Sequence, residues 1–174
     1  MITPGYAQTM ARYNTWQNIN IYDAADRLGD ADRKSDRGAF FGSIHATLNH
    51  ILWADQMWLS RFGASPPPQV LTIADGISMI SDFEKLKTSR VAFDAEIERW
   101  ARDLTPDALA GDLEFRSASF NQTVTKPRAV LVAHIFNHQT HHRGQVHAML
   151  TGLGVKPGLT DLPMYPAAWD TIAV

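Results

Sequence analysis

Apolar residues recur at three- and four-residue steps in four separate stretches of this chain, and glycine or proline closes each one. The first stretch runs from about Pro4 to Leu28. Pro4 suits a first helical turn, and Tyr6, Met10, Tyr13 and Trp16 share one side. Gly29 and the polar run from Asp30 to Arg37 read as its exit loop. The second stretch, about Phe40 to Phe62, is apolar and aromatic all round, which predicts a largely buried helix ended by Gly63 and Pro66-Pro67-Pro68. The third, about Ile73 to Leu104, interleaves Ile77, Ile80, Phe83, Leu86, Val91, Phe93, Ile97 and Trp100 with charge, the pattern of an amphipathic helix with a wet outer face. Gly76 weakens its start, and Thr105-Pro106 closes it. The fourth starts near Pro127 and runs to about Thr151, stopping at Gly152 and Gly154.

Between the third and fourth helices the period changes. Asp112 to Ser117 and Ser119 to Thr125 alternate polar and apolar residues, which reads as a small hairpin or an ordered loop. Four long helical patterns and little strand signal predict an all-α four-helix bundle. The long stretch between the third and fourth helices leaves room for a crossover connection, so a simple up-down-up-down order does not follow. The tail, with Pro157, Pro163 and Pro166, is expected to pack irregularly over the bundle.

The chain has 174 residues, which is most simply one domain with a proper core. A 45% apolar and 20% charged composition is that of an ordinary soluble globular protein. The formal net charge is −2 and no basic run occurs, so nothing electrostatic favours nucleic acid. No stretch is apolar enough to cross a bilayer, and the opening Met-Ile-Thr-Pro-Gly-Tyr lacks the features of a secretory signal. A cytoplasmic protein is the expectation. There is no cysteine, which excludes disulfides, cysteine zinc sites and a cysteine nucleophile.

The chemistry concentrates in the fourth helix. Five of the seven histidines lie between His134 and His147. On a wheel of about 100° per residue, Leu131, Ile135, His138, His142, Gln145, Val146 and Met149 fall within an arc of roughly 100° that should face the core. His134 and His141 sit at its edge; Arg143 and His147 point away. His138 and His142, four residues apart, are therefore stacked on a buried face. An unpaired buried imidazole costs about 1–3 kcal/mol, so the two rings need a partner. Backbone groups or each other would serve, and so would a shared divalent metal. Such a site usually takes three protein ligands and keeps one position for water. The third ligand is sought on the second helix, at His45 or His50. The two lie on different faces there, and periodicity gives only a slight preference for His50.

Three segments in order, Ala-Arg-Tyr-Asn-Thr-Trp-Gln-Asn from Ala11, Leu-Asn-His-Ile-Leu-Trp-Ala-Asp from Leu48 and Phe-Asn-His-Gln-Thr-His-His-Arg-Gly-Gln from Phe136, make the chain similar to the DinB family. That family belongs to the wider DinB/YfiT-like group of metalloenzymes. The resemblance spans nearly the whole chain, and the third segment is the most specific. It implies an up-down-down-up four-helix bundle, usually dimeric, with one divalent metal ion held by three histidines. The matching positions are His50, His138 and His142. Relatives in this group include transferases and isomerases that use low-molecular-weight thiols.

A three-histidine centre with an open position can lower the pKa of water from about 15.7 toward about 7 for hydrolysis, or activate a thiol. With no cysteine in the chain, that thiol is external. The fourth helix carries no acidic residue, which argues against a His-Glu-x-x-His peptidase. The leading expectation is a small-molecule metalloenzyme of the thiol-dependent transferase type. The alternatives are a metal-dependent hydrolase, a metal-binding stress or sensor protein without turnover, and a structural bundle. Zinc, nickel, iron or cobalt suits the donors. His141 and His134 are expected beside the site rather than in it, and His45 and His147 as structural. Asp55 reads as a salt-bridge residue. Tyr13, Asn14 and Trp16 read as packing residues that could reach the pocket, and Gly144 as a point of close helix approach.

Overall fold

The computed structural model describes residues 2–117 and 121–165. Four long helices account for most of it: α1 (Pro4–Asp26), α3 (Ile44–Arg61), α5 (Phe83–Asp103) and α7 (Arg128–Gly152). Short helices α2 (Asp30–Lys34), α4 (Ile73–Gly76) and α6 (Pro106–Leu109) lie in the connections. One antiparallel hairpin, β1 (Asp112–Ser117) and β2 (Gln122–Pro127), pairs Phe115 with Val124. The part of the hairpin expectation that falls on residues 118–120 lies outside the described residues. No helix among the described residues is long and apolar enough to cross a membrane.

The caps explain where the helices begin. Thr3, Ser43 and Asp82 each accept a backbone N–H from three residues on, at 3.1, 3.1 and 2.8 Å, and so open α1, α3 and α5. Three expectations are corrected here. The second helix begins at Ile44, not Phe40, because Gly38 and Gly42 take φ of 70° and 76° and fold residues 38–42 into a tight turn. The exit loop after α1 contains α2, whose acidic first turn (Asp30, Asp32) and basic last turn (Arg33, Lys34) complement the helix dipole. The third helix is not continuous from Ile73: it breaks after Gly76 and restarts at Phe83. Asn49 occupies both backbone groups of Ile80, accepting its N–H at 2.8 Å and donating to its carbonyl at 3.0 Å. His45 Nε2 lies 2.8 Å from the same carbonyl. With its peptide groups held by α3, this segment has no need of helical bonds. Gly76 itself marks a close approach, since a Cβ there would sit 2.6 Å from the Trp53 ring.

Among the long helices, α1 packs on α5 and α7, and α3 packs on α7 and α5. The core has two apolar ends. Ile21, Leu52, Leu86 and Val146 belong to one; Ala11, Leu59, Ile97 and Phe136 belong to the other. Each helix carries polar residues between its two apolar contributions: Asn14 and Asn18 on α1, Asp55 on α3, Arg90 and Asp94 on α5, Gln139 and Arg143 on α7. All of these are buried. Arg90 bridges Asp55 at 2.6 Å and Asp94 at 2.9 Å, and Asn14 and Asn18 donate to Asp94. Arg143, expected to point away from the core, is instead only 5% exposed and donates to Asn14 Oδ1. The reason is that α7 is covered on two sides, by α3 and by α1. Gly144 is exposed with nothing within 4 Å of its missing Cβ, so it marks no close helix approach.

Candidate metal centre

The face of α7 that meets α3 brings three histidines together. His50, His138 and His142 each offer a ring nitrogen, and these atoms all lie within 4.8 Å of one another. His50 and His138 approach through their Nε2 atoms, 3.2 Å apart. The ring centroids of His142 lie 4.5 Å from His138 and 4.7 Å from His50. His50 and His142 are buried, and His138 is half-buried.

Their environment holds all three rings in the neutral form, the form that ligates a metal. Burial, reinforced by the nearby His142, pushes His50 down to about 3. Burial, with the neighbouring histidines, does the same to His138, also to about 3. His142 is lowered too, by burial, with Gln145 opposing the shift. Its Nδ1–H donates to Gln145 Oε1 at 2.9 Å, which leaves Nε2 as its open nitrogen. His50 and His138 each keep a buried Nδ1 with no hydrogen-bond partner among the described residues. His45 also keeps a buried Nδ1 without a partner, so what sets His50, His138 and His142 apart is the convergence of their ring nitrogens. Three convergent neutral imidazoles fit the donor preferences of a divalent ion of the zinc, nickel, iron or cobalt kind.

The remaining histidines separate cleanly. His45 spends its Nε2 on the Ile80 carbonyl, so it serves the fold. His141 is exposed and accepts from Gln145 at 3.2 Å, which places it beside the residue that orients His142. His134 is exposed one turn before His138, its ring 5.6 Å from that of His138 and 5.1 Å from Trp58. His147 lies on another side, in a cavity with Tyr13 and Arg143. Of the first-helix residues, Tyr13 donates to the Thr160 carbonyl at 2.6 Å and Trp16 packs on Tyr13 and Tyr165. Asn14 belongs to the buried polar layer. Asp55 is paired with Arg90 from α5, and burial pushes its carboxyl up to about 6.

A model of the DinB family matches residues 1–171. The chain belongs to the DinB family. Protein DinB of Bacillus subtilis (strain 168) is 25% identical over 164 residues, covering 92% of this chain and 93% of its own. The crystal structure of a DinB-like protein from Bacillus cereus ATCC 10987 superposes with a TM-score of 0.61 at 19% identity. The match covers 83% of this chain and 91% of that one. At that identity the likeness concerns the fold.

Around the histidines of this family member lie groups that sequence reasoning did not assign. Phe41 packs over the centre, its ring 4.0 Å from His50 and 5.3 Å from His142. Gln145 lay on the predicted face, but a wheel does not show which ring it would meet. A cavity of about 430 Å³ opens against His50 and His138, walled by Trp53, Trp58 and Phe115 with Arg61 among them. A larger groove of about 970 Å³ runs between residues 66–68 and α5 and contains no histidine.

Proposed function

We propose that this protein is a small-molecule metalloenzyme, a thiol-dependent transferase working at one divalent ion held by His50, His138 and His142. The observation that carries this reading is the meeting of three neutral imidazoles from two helices, two of which, His50 and His138, line a cavity large enough for a small organic molecule. His142 is aimed by Gln145, and Phe41 backs His50, so the donors are held in place before anything binds. Bound there, a divalent ion supplies Lewis acidity toward a thiol or a carbonyl group. The chain's own residues do the rest. The aromatic walls desolvate and position an apolar substrate beside the histidines. The thiol comes from outside, because the chain has no cysteine. None of the described residues lining the cavity is acidic, which leaves hydrolysis without a carboxylate base and favours transfer.

The same reading takes the chain as one domain with its helices in up-down-down-up order, supported by the apolar cluster in which the C-terminal halves of α1 and α7 meet the N-terminal halves of α3 and α5. It takes the protein as a cytoplasmic homodimer acting on small molecules rather than on nucleic acid or membrane, in keeping with a net charge of −2. The test is a screen of metal-loaded protein for transfer of low-molecular-weight thiols to electrophiles, with ester and amide hydrolysis run alongside. Transfer that disappears with chelator and in His138→Ala is the expected result. Hydrolysis without transfer would replace the reading with a hydrolase, and bound metal without any turnover would replace it with a sensor.

A further inference from the structure

Arg61 is the cation of the cavity that opens on His50 and His138; it is half-buried, and neither a carboxylate, as for Arg90, nor a buried amide, as for Arg143, satisfies it. Arg90 is matched by Asp55 and Asp94. Arg61 makes no salt bridge among the described residues. Its guanidinium lies 4.6 Å from the Trp58 ring centroid and 4.7 Å from that of Phe115, and among the described residues it donates only to the Arg116 carbonyl, at 3.3 Å. Two aromatic faces fix it without neutralising it. Burial lowers its pKa with no carboxylate opposing the shift, and its charge is felt at His134. No acidic side chain lines the cavity among the described residues; the walls are mainly Trp53, Met57, Trp58, Phe115 and Leu131. A half-buried cation held by ring faces in an apolar chamber lacks an anion, and a ligand can provide one.

We infer that this cavity binds a small carboxylate with a flat apolar body, Arg61 pairing with the carboxylate and Trp53, Trp58 and Phe115 enclosing the body. This inference rests on the reading of the histidine centre as a reaction site, and it names the substrate class for that site. The volume, about 430 Å³, suits a molecule with one ring and a short chain. His50 and His138 line the same cavity, so a ligand anchored at Arg61 presents its other atoms to the centre. The aromatic lining separates this ligand from a hydrophilic thiol such as glutathione, whose carboxylates sit on a polar peptide.

The test is isothermal titration calorimetry on metal-free protein with three probes: 3-phenylpropionate, its neutral amide 3-phenylpropanamide, and glutathione. Metal content is measured separately on the same preparation before stripping, so failure of the metal reading and failure of this one are distinguishable. Wild type is expected to bind the carboxylate at least about tenfold more tightly than the amide, the scale of a charge-assisted pair. Arg61→Gln is expected to abolish that preference and Arg61→Lys to keep part of it, with circular dichroism checking the fold of each. Equal binding of acid and amide by wild type, a preference that survives Arg61→Gln in folded protein, or no binding of 3-phenylpropionate would overturn the inference. Arg61-dependent binding of glutathione in place of 3-phenylpropionate would also overturn it, by reassigning the cavity to the thiol.

Discussion

Among the described residues Gln145 makes no side-chain hydrogen bond to another helix, yet the geometry makes it a determinant of metal affinity. Its Oε1 accepts the Nδ1–H of His142 at 2.9 Å, and its Nε2 donates to His141 at 3.2 Å. Replacing it with leucine removes the acceptor that selects the tautomer of His142 with Nε2 open. The hydrogen bond alone is worth about 1 kcal/mol, roughly fivefold in affinity. Loss of ring orientation adds to this, and groups that orient metal-bound histidines typically contribute about 10–100-fold. Gln145→Leu is therefore expected to weaken zinc binding by about 10–100-fold, or about 1.4–2.7 kcal/mol. Gln145→Glu keeps the acceptor and adds charge, so it should bind at least as tightly as wild type. The assay is competition against a chromophoric chelator at fixed pH, with the metal-free melting temperature as a control. That temperature should move by less than about 2 °C, because the side chain is half-buried on the outer part of α7. Zinc affinity of Gln145→Leu within twofold of wild type would refute the reasoning.

Two further outcomes follow from the buried charges. Arg90→Met leaves Asp55 and Asp94 buried without their cation, which should cost about 3–5 kcal/mol in urea unfolding near neutral pH. Without Arg90 both carboxyls rise further, so the folded variant takes up protons before the unfolded chain does and recovers stability as pH falls; a deficit below about 1 kcal/mol, or one that does not change with pH, would contradict the role assigned to Arg90. The histidines act in the opposite sense: His50 and His138 are held at about 3, below the 6.5 of free imidazole, so between those values the unfolded chain binds protons that the folded chain refuses. Metal-free protein should lose stability as pH falls from 6.5 toward 3, and His50→Gln should reduce that slope by up to about 1.4 kcal/mol per pH unit, measured by denaturation at several pH values; an unchanged slope would show that the ring is not desolvated in the folded state.

The four long helices were legible from their period, and the starts of α1 and α7 from Pro4 and Pro127; the caps Ser43 and Asp82 that open α3 and α5 were not singled out. The break between α4 and α5 was not. The apolar period runs on through Ile77, Ile80 and Phe83, while the groups that stop the helix, Asn49 and His45, are thirty or more residues away. The spacing of His138 and His142 put both rings on one face of α7. The choice of His50 over His45 came from family resemblance, since both faces of that helix looked buriable. In the structure His45 is drawn to Ile80, and His50 is left facing α7. Arg143 was misplaced because a helix wheel assumes one buried side, whereas α7 has two. Nothing in the sequence pattern singled out Arg61. Only the packing of Trp58 and Phe115 around it, from a helix and a distant hairpin, gives it a role.

Metal stoichiometry of wild type against His138→Ala bears most directly on the histidine centre. Each protein is loaded with one equivalent of zinc, nickel, iron(II) or cobalt, passed through a desalting column and assayed by elemental analysis. Wild type should retain one ion per chain for at least one of these metals, and folded His138→Ala should retain almost none. Wild type that holds no ion, or a variant that keeps full loading, would contradict the assignment of His50, His138 and His142 as one metal centre.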